Sequence, residues 1–193
     1  MTLRLRTAPH AFPMRRAHRD AVREVSAREG LLVAIEEEGE LIGFGEASPL
    51  PGYSDESLDR VREDLATLPS ASLLEARAAS RFGRLDEVVA TFARLSASAR
   101  AAVQVALLDA HATEIGAPLS HWLGADRSER VPALLVDAST ASVDDVLAAV
   151  GRASAVKLKV GRDPESELEL ATELRRRLDP AVELRVGANR TLH

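Results

Sequence analysis

The sequence predicts an α+β region followed by the opening of a parallel β/α domain. Three observations carry that prediction. Apolar runs at 31–37 and 41–47 flank Glu38, Gly39 and Glu40, a hairpin signal with Gly39 available for positive φ. Residues 54–118 then read as successive helices, interrupted at Pro69 and stopped by Gly116, Ala117 and Pro118. From Val131 the pattern becomes strand, helix, strand, helix, strand, which implies parallel strands joined by right-handed crossovers.

Each element has a local reason. Residues 3–7 alternate in polarity and suit a strand, whereas the Arg-rich stretch 12–28 reads as a long loop or hairpin tip. Ser48, Pro49, Leu50, Pro51 and Gly52 break regular structure. Ser54 is the expected cap of a helix reaching about Leu68, with Asp55 and Glu56 in its positive first turn. Shorter helices are expected near 72–81 and 85–95. A longer one starts at Ser98, with Ala102, Val103, Ala106, Leu107 and Ala110 at helical spacing. In the second region the strands are expected at 131–136, 155–160 and 182–186. Ser142 and Asp145 open the first helix as a capping box, and Pro164 opens the second. Parallel strands are normally covered on both faces, and a closed (β/α)8 barrel needs eight such units. The second region is therefore expected to be the start of a larger domain that has been cut off.

Composition narrows the function. The chain has 193 residues and a formal net charge of −5, which argues against nucleic acid or an anionic membrane as the main partner. It has no cysteine, so disulfides, thiolate metal sites and thiol nucleophiles are excluded. No apolar run approaches the roughly 18 residues of a membrane span, and a cytoplasmic protein is expected. The Gly43-x-Gly45 pair leads into Glu46 and Pro49 rather than a helix, so it is not a dinucleotide fingerprint. The histidines at 10, 18, 111, 121 and 193 lack metal-ligand spacing.

The basic residues divide unevenly. Of 25, only Lys157 and Lys159 are lysines. Lysine can lose its proton inside a protein and arginine effectively cannot. On a strand these two side chains share a face, roughly 7 Å apart along the chain. Mutual repulsion and partial burial both favour the neutral amine, as a general base requires. The alternative is an edge strand that carries lysines against aggregation. Asn189 and Arg190 follow the third strand, at the end where parallel α/β folds form sites. Arg15, Arg16, His18 and Arg19 form a cationic cluster suited to an anion, or to water. Arg175, Arg176 and Arg177 read as a solvated helix face.

Several ordered motifs, spanning essentially the whole chain, resemble the enolase superfamily in its mandelate racemase/muconate lactonizing enzyme-like form, and within it the o-succinylbenzoate synthase branch. Gly43-Phe-Gly-Glu-Ala-Ser-Pro-Leu-Pro-Gly52 with Tyr53-Ser-Asp-Glu-Ser57 is similar to the second strand and mobile loop of that family's capping domain. Ala101-Ala-Val-Gln-Val-Ala-Leu-Leu-Asp109 and Gly116-Ala-Pro-Leu119 are similar to the helix leading into the barrel. Lys157-Leu-Lys-Val-Gly161 and Leu184-Arg-Val-Gly-Ala-Asn-Arg190 are similar to the motifs of the second and third barrel strands.

The resemblance implies an α+β capping domain over 1–97, then a linking helix and the first three β/α units of an incomplete (β/α) TIM-type barrel over 98–193. It implies a Mg²⁺-assisted proton abstraction, with Lys159 as the base and Lys157 tuning its pKa and stabilising charge. In the synthase branch this is a dehydration that yields 2-succinylbenzoate in menaquinone synthesis. Arg15, Arg16, Arg19, Gly52, Tyr53, Ser54, Arg185 and Asn189 would contact a small dicarboxylate substrate, with loops around 14–28 and 48–56 as lids. The alternatives are an N-acylamino acid racemase or dipeptide epimerase, and a non-catalytic remnant or half-barrel that needs a partner chain. The motifs depart from the family in three ways. Gly187 stands where the first metal-ligating Asp is expected, Leu192 stands where an aromatic residue is common, and the later metal carboxylates and second catalytic lysine are not present. The expectation is therefore no bound metal, no competent synthase from this chain alone, and oligomerisation through the exposed half-barrel.

Overall fold

A computed structural model describes residues 2–19, 24–125, 132–138 and 141–188. They form two compact units: 1–13 with 27–127, and 14–26 with 128–193.

The first unit is built on a three-stranded sheet of order β1-β2-β3, with β1 at Leu3–Arg19, β2 at Glu24–Glu37 and β3 at Glu40–Ala47. The stretch expected as a loop at 12–28 is thus largely strand. Pro13 lies on β1, an edge strand, which is where a sheet tolerates proline. β2 and β3 pair antiparallel from Leu31↔Ala47 to Glu37↔Glu40, with a register shift between Ile35 and Glu36. Glu38 (φ 54°) and Gly39 (φ 95°) both turn through positive φ, as a two-residue hairpin of primed type needs.

Four helices follow: α1 Leu58–Ala66, α2 Ser70–Arg81, α3 Leu85–Thr91 and α4 Ala97–Glu114. The short α5, Leu119–Trp122, comes after Pro118. The N-cap of α1 is Ser57, not Ser54; the Ser57 hydroxyl accepts from the Arg60 amide at 3.2 Å. Ser54 is occupied elsewhere, because its hydroxyl closes the preceding turn by accepting from the Leu50 amide at 2.9 Å. Helix α3 also ends earlier than expected, and Phe92 is buried at its C-cap.

Helix α4 lies directly on β3. A Cβ at Gly43 or Gly45 would come within 2.2 or 2.1 Å of the Ala106 or Ala102 carbonyl oxygen. The two glycines therefore serve close packing, matched by the small residues Ala99, Ala102, Ala106 and Ala110 on the helix. Leu3, Val33, Ile35, Val61, Leu73 and Leu107 fill the core between sheet and helices. Each such side chain contributes about 1.5–3 kcal/mol on burial. The first orphan N–H groups of α4 are capped from a distance. The Asp64 carboxylate accepts from the Ser96 amide at 2.7 Å, and Glu56 accepts from the Ser98 amide at 2.9 Å and its hydroxyl at 2.6 Å. His111 is buried on α4, edge-on to Trp122 with ring centroids 5.3 Å apart.

The second unit contains a parallel sheet of order β4-β5-β6: Ala133–Asp137, Ala155–Lys159 and Glu183–Gly187. Helices α6, Val143–Val150, and α7, Pro164–Arg177, make the two crossovers. The Ser142 hydroxyl caps α6 on the Asp145 amide at 3.2 Å, as its capping box predicts. Val136, Val156 and Leu158 pack with Val146, Leu170 and Leu174 of the helices. Arg175 is not merely solvated: it donates to the carbonyls of Val182 (2.8 Å) and Asp179 (2.9 Å) and ties the end of α7 to the approach of β6. The fold is an α+β domain with an antiparallel hairpin, then three parallel strands and two connecting helices in the arrangement that opens a (β/α) barrel. Among the described residues, no helix is long and apolar enough to cross a membrane.

Candidate active site

The pleat of β5 sorts its side chains. Val156 and Leu158 are buried in the core shared with α6 and α7, so Lys157 and Lys159 stand on the opposite face. Lys157 is exposed and Lys159 half-buried. Register completes the face. Lys157 stands between Leu135 and Arg185, and Lys159 between Asp137 and Gly187. Neighbouring strands are about 4.8 Å apart, so three cationic residues, Lys157, Lys159 and Arg185, share a small area. Arg185 donates to Glu183 at 2.6 Å. That hydrogen bond holds the Glu183 carboxyl below its usual range and raises the guanidinium.

The backbone around Lys159 is held on several sides. Its carbonyl accepts from the Ala138 amide at 3.1 Å, and the next amide, Val160, donates to the Gly187 carbonyl at 3.1 Å. The chain then turns at Gly161 with φ 120°. The amides of Gly161 and Arg162 both donate to the Glu167 carboxylate, at 2.6 and 3.1 Å. Glu167 lies in the first turn of α7 and is 3% exposed.

Gly187 is not required by its backbone, since its φ lies outside the left-handed region. A Cβ there would meet the Lys157 Cε at 3.5 Å and the Leu158 carbonyl at 4.0 Å, which is ordinary contact. The position has room for a side chain and carries none.

The remaining expected site residues are distributed between the units. Gly52 (φ 75°), Tyr53 and Ser54 form a closed turn in the first unit, where the Tyr53 and Ser54 amides donate to the Leu50 carbonyl at 2.9 and 2.8 Å. Arg28 holds Ser48 at one end of that loop (3.0 Å), and Glu56 holds the other end on Ser98. Arg15, Arg16 and Arg19 lie on β1, in the stretch 14–26 that belongs to the second unit; their side chains are outside the described residues, as is Asn189. Glu167 and Glu183 were not legible as site residues. Each reads in the sequence as one more acid among solvated charges, and no local spacing marks the amides or the guanidinium it meets.

Chemically, the face offers three cationic side chains, Lys157, Lys159 and Arg185. Mg²⁺ demands oxygen ligands in near-octahedral geometry. Among the described residues, no group of three or more His, Asp or Glu could hold a metal. Lys157, Lys159 and Arg185 offer such an ion no oxygen ligand, and Gly187 has no side chain.

Residues 3–124 match the family model of the mandelate racemase / muconate lactonizing enzyme N-terminal domain. Muconate cycloisomerase 1 from Acinetobacter baylyi is 27% identical over 187 residues, which are 93% of this chain and 50% of that protein. The L-Ala-D/L-Glu epimerase of Bacillus subtilis is 28% identical over 191 residues, 97% of this chain and 52% of its own. A substrate-liganded structure of that epimerase superposes with a TM-score of 0.77 at 26% identity, over 96% of this chain and 52% of the other. The fold is also that of the dipeptide epimerase from Methylococcus capsulatus, solved with Mg and L-Arg-D-Lys. There the TM-score is 0.76 at 24% identity, over 99% of this chain and 55% of the other. The chain spans about half the length of the curated relatives it matches. An antiparallel hairpin packed on α4, a parallel sheet with its lysine pair on one face, and the match over 3–124 agree: this chain belongs to the mandelate racemase / muconate lactonizing enzyme family of the enolase superfamily.

Proposed function

We propose that this chain carries the base-bearing part of an enzyme that removes a proton next to a carboxylate. The observation that carries the reading is the placement of the chain's only two lysines on one face of β5, near its C-terminal end, in a member of this family. Lys159 is the base, and Lys157, two residues away on the same face, adds positive charge to the site. Arg185 supplies positive charge for a small dicarboxylate; Arg15, Arg16, Arg19, Gly52, Tyr53, Ser54 and Asn189 are further substrate contacts in this reading. The substrate class proposed is that of an o-succinylbenzoate synthase, a carbon–oxygen lyase. A dipeptide epimerase is a reading of equal weight, favoured by the Bacillus subtilis relative.

The chain alone does not complete the reaction in this reading, because Gly187 gives Mg²⁺ no ligand. Leu135 (56% exposed) is on the lysine face of the parallel sheet and Val186 (59%) on the helix face at its edge, and the rest of a barrel or a second chain would cover them. The test is turnover in D₂O with Mg²⁺, using the cyclohexadiene carboxylate substrate of the synthases and the dipeptide L-Ala-L-Glu. The 193-residue chain should neither dehydrate the first nor deuterate the second. A fusion to the remaining half of a relative, carrying Gly187→Asp, should do one of the two, and which one decides between lyase and epimerase. Lys159→Ala in that fusion should abolish it. Mg²⁺-dependent turnover by the native chain, or activity surviving Lys159→Ala, would overturn the proposal.

A further inference from the structure

We propose that Glu167 is a positioning residue for Lys159. A carboxylate 3% exposed is costly to bury unless its oxygens are well used. Here one oxygen accepts from the Gly161 amide at 2.6 Å and the other from the Arg162 amide at 3.1 Å. Both are charge-assisted bonds, roughly twice as strong as neutral ones. The two amides belong to the turn that immediately follows Lys159 and Val160, and Gly161 holds φ 120° there. Glu167 itself is fixed by its place in the first turn of α7, where its amide donates to the Asp163 carbonyl at 3.0 Å and the helix dipole favours negative charge.

The consequence concerns direction. The sheet holds Lys159 from its two neighbouring strands, through the Ala138 amide and the Gly187 carbonyl. Glu167 adds a restraint from the helix side, on the turn that leaves β5, and so couples the α7 N-terminus to the orientation of the β5 end. This assignment rests on Lys159 being the base; the restraint itself is read without turnover, so the two fail separately.

The chain's two lysines make the test direct. In the full chain labelled with ¹³Cε-lysine, two side-chain signals are expected, one for Lys157 and one for Lys159. Glu167→Gln keeps the size but offers one acceptor oxygen. Hydrogen exchange at the Gly161 and Arg162 amides should then rise about tenfold or more, as loss of a charge-assisted bond implies. The Lys159 signal should shift while the Lys157 signal stays. Glu167→Asp retains the charge and both oxygens, and should shift the Lys159 signal less. If the Gln variant does not fold, the Asp variant carries the same comparison, with a shift of the Lys159 signal alone expected. The proposal is overturned if the two amides open while the Lys159 signal holds, or if both lysine signals move together.

Discussion

Arg77 in the first unit is 2% exposed and donates to Glu114 at 3.0 Å, with Arg81 on the same carboxylate and Glu37 at 3.8 Å. Lys157 in the second unit is exposed on a sheet face beside a second lysine and an arginine. Burial pulls the Arg77 guanidinium below its ordinary value and Arg81 adds to this, while Glu114 and Glu37 resist. One unit thus spends its cation inside an ion-pair network that joins α2, α4 and β2. The other sets two lysines and an arginine on one sheet face, with Glu183 on Arg185 at 2.6 Å.

That contrast predicts a ranking of effects. Arg77→Met should be the most damaging, at about 3 kcal/mol from the first unit, because it removes the buried end of the network and leaves Glu37 and Glu114 to the half-exposed Arg81 alone. Urea unfolding would measure it, and a loss below about 1 kcal/mol would erase the distinction between the units. Gly45→Ala comes next, at about 1–3 kcal/mol or somewhat more, since the added methyl meets the Ala102 carbonyl in rigid helix backbone. The same substitution at Gly187 should be nearly silent in the same melt.

Acid should reach the first unit through its helix caps. The Ser98 hydroxyl, against the opposing effect of burial, holds Glu56 below its usual range. For Asp64 burial is the largest influence and pushes upward, but the Ser96 amide and hydroxyl with Arg60 outweigh it and the carboxyl is lowered. A carboxyl lowered in the folded state contributes stability that is complete above its unfolded pKa, near 4, and lost as pH falls through the folded value. The melting temperature should therefore hold from about pH 7 down to about pH 5 and decline below about pH 4. Asp64→Asn should cost about 1–3 kcal/mol at neutral pH and flatten that decline. The smallest effect belongs to Lys157→Gln, which should leave stability within about 0.5 kcal/mol, as exposed positions do.

Much of the architecture was legible because it is local. The Glu38-Gly39 turn, the Ser142 cap, Pro164 and the strand periods around Val156 and Leu158 all act within a few residues. The lysine face followed from period-two alternation alone. What escaped depends on partners distant in the chain. Ser54 reads as a good cap until the turn at Pro51 and Gly52 claims its hydroxyl. The 12–28 stretch reads as loop because polarity suggests water, whereas an edge strand accepts polar residues and a proline. Glu167 shows its role only when the β5 exit and the α7 start are seen together, and Glu56 only when Ser98 stands across from it.

The scarcity of lysine has a practical side. Amine-directed reagents, such as activated esters, aldehydes or an amine-coupling sensor chip, find only the α-amino group and the two lysines of β5. Routine labelling or immobilisation of this chain would therefore modify the candidate site before almost anything else. Handles placed on other surfaces need a different chemistry, or a lysine introduced far from β5.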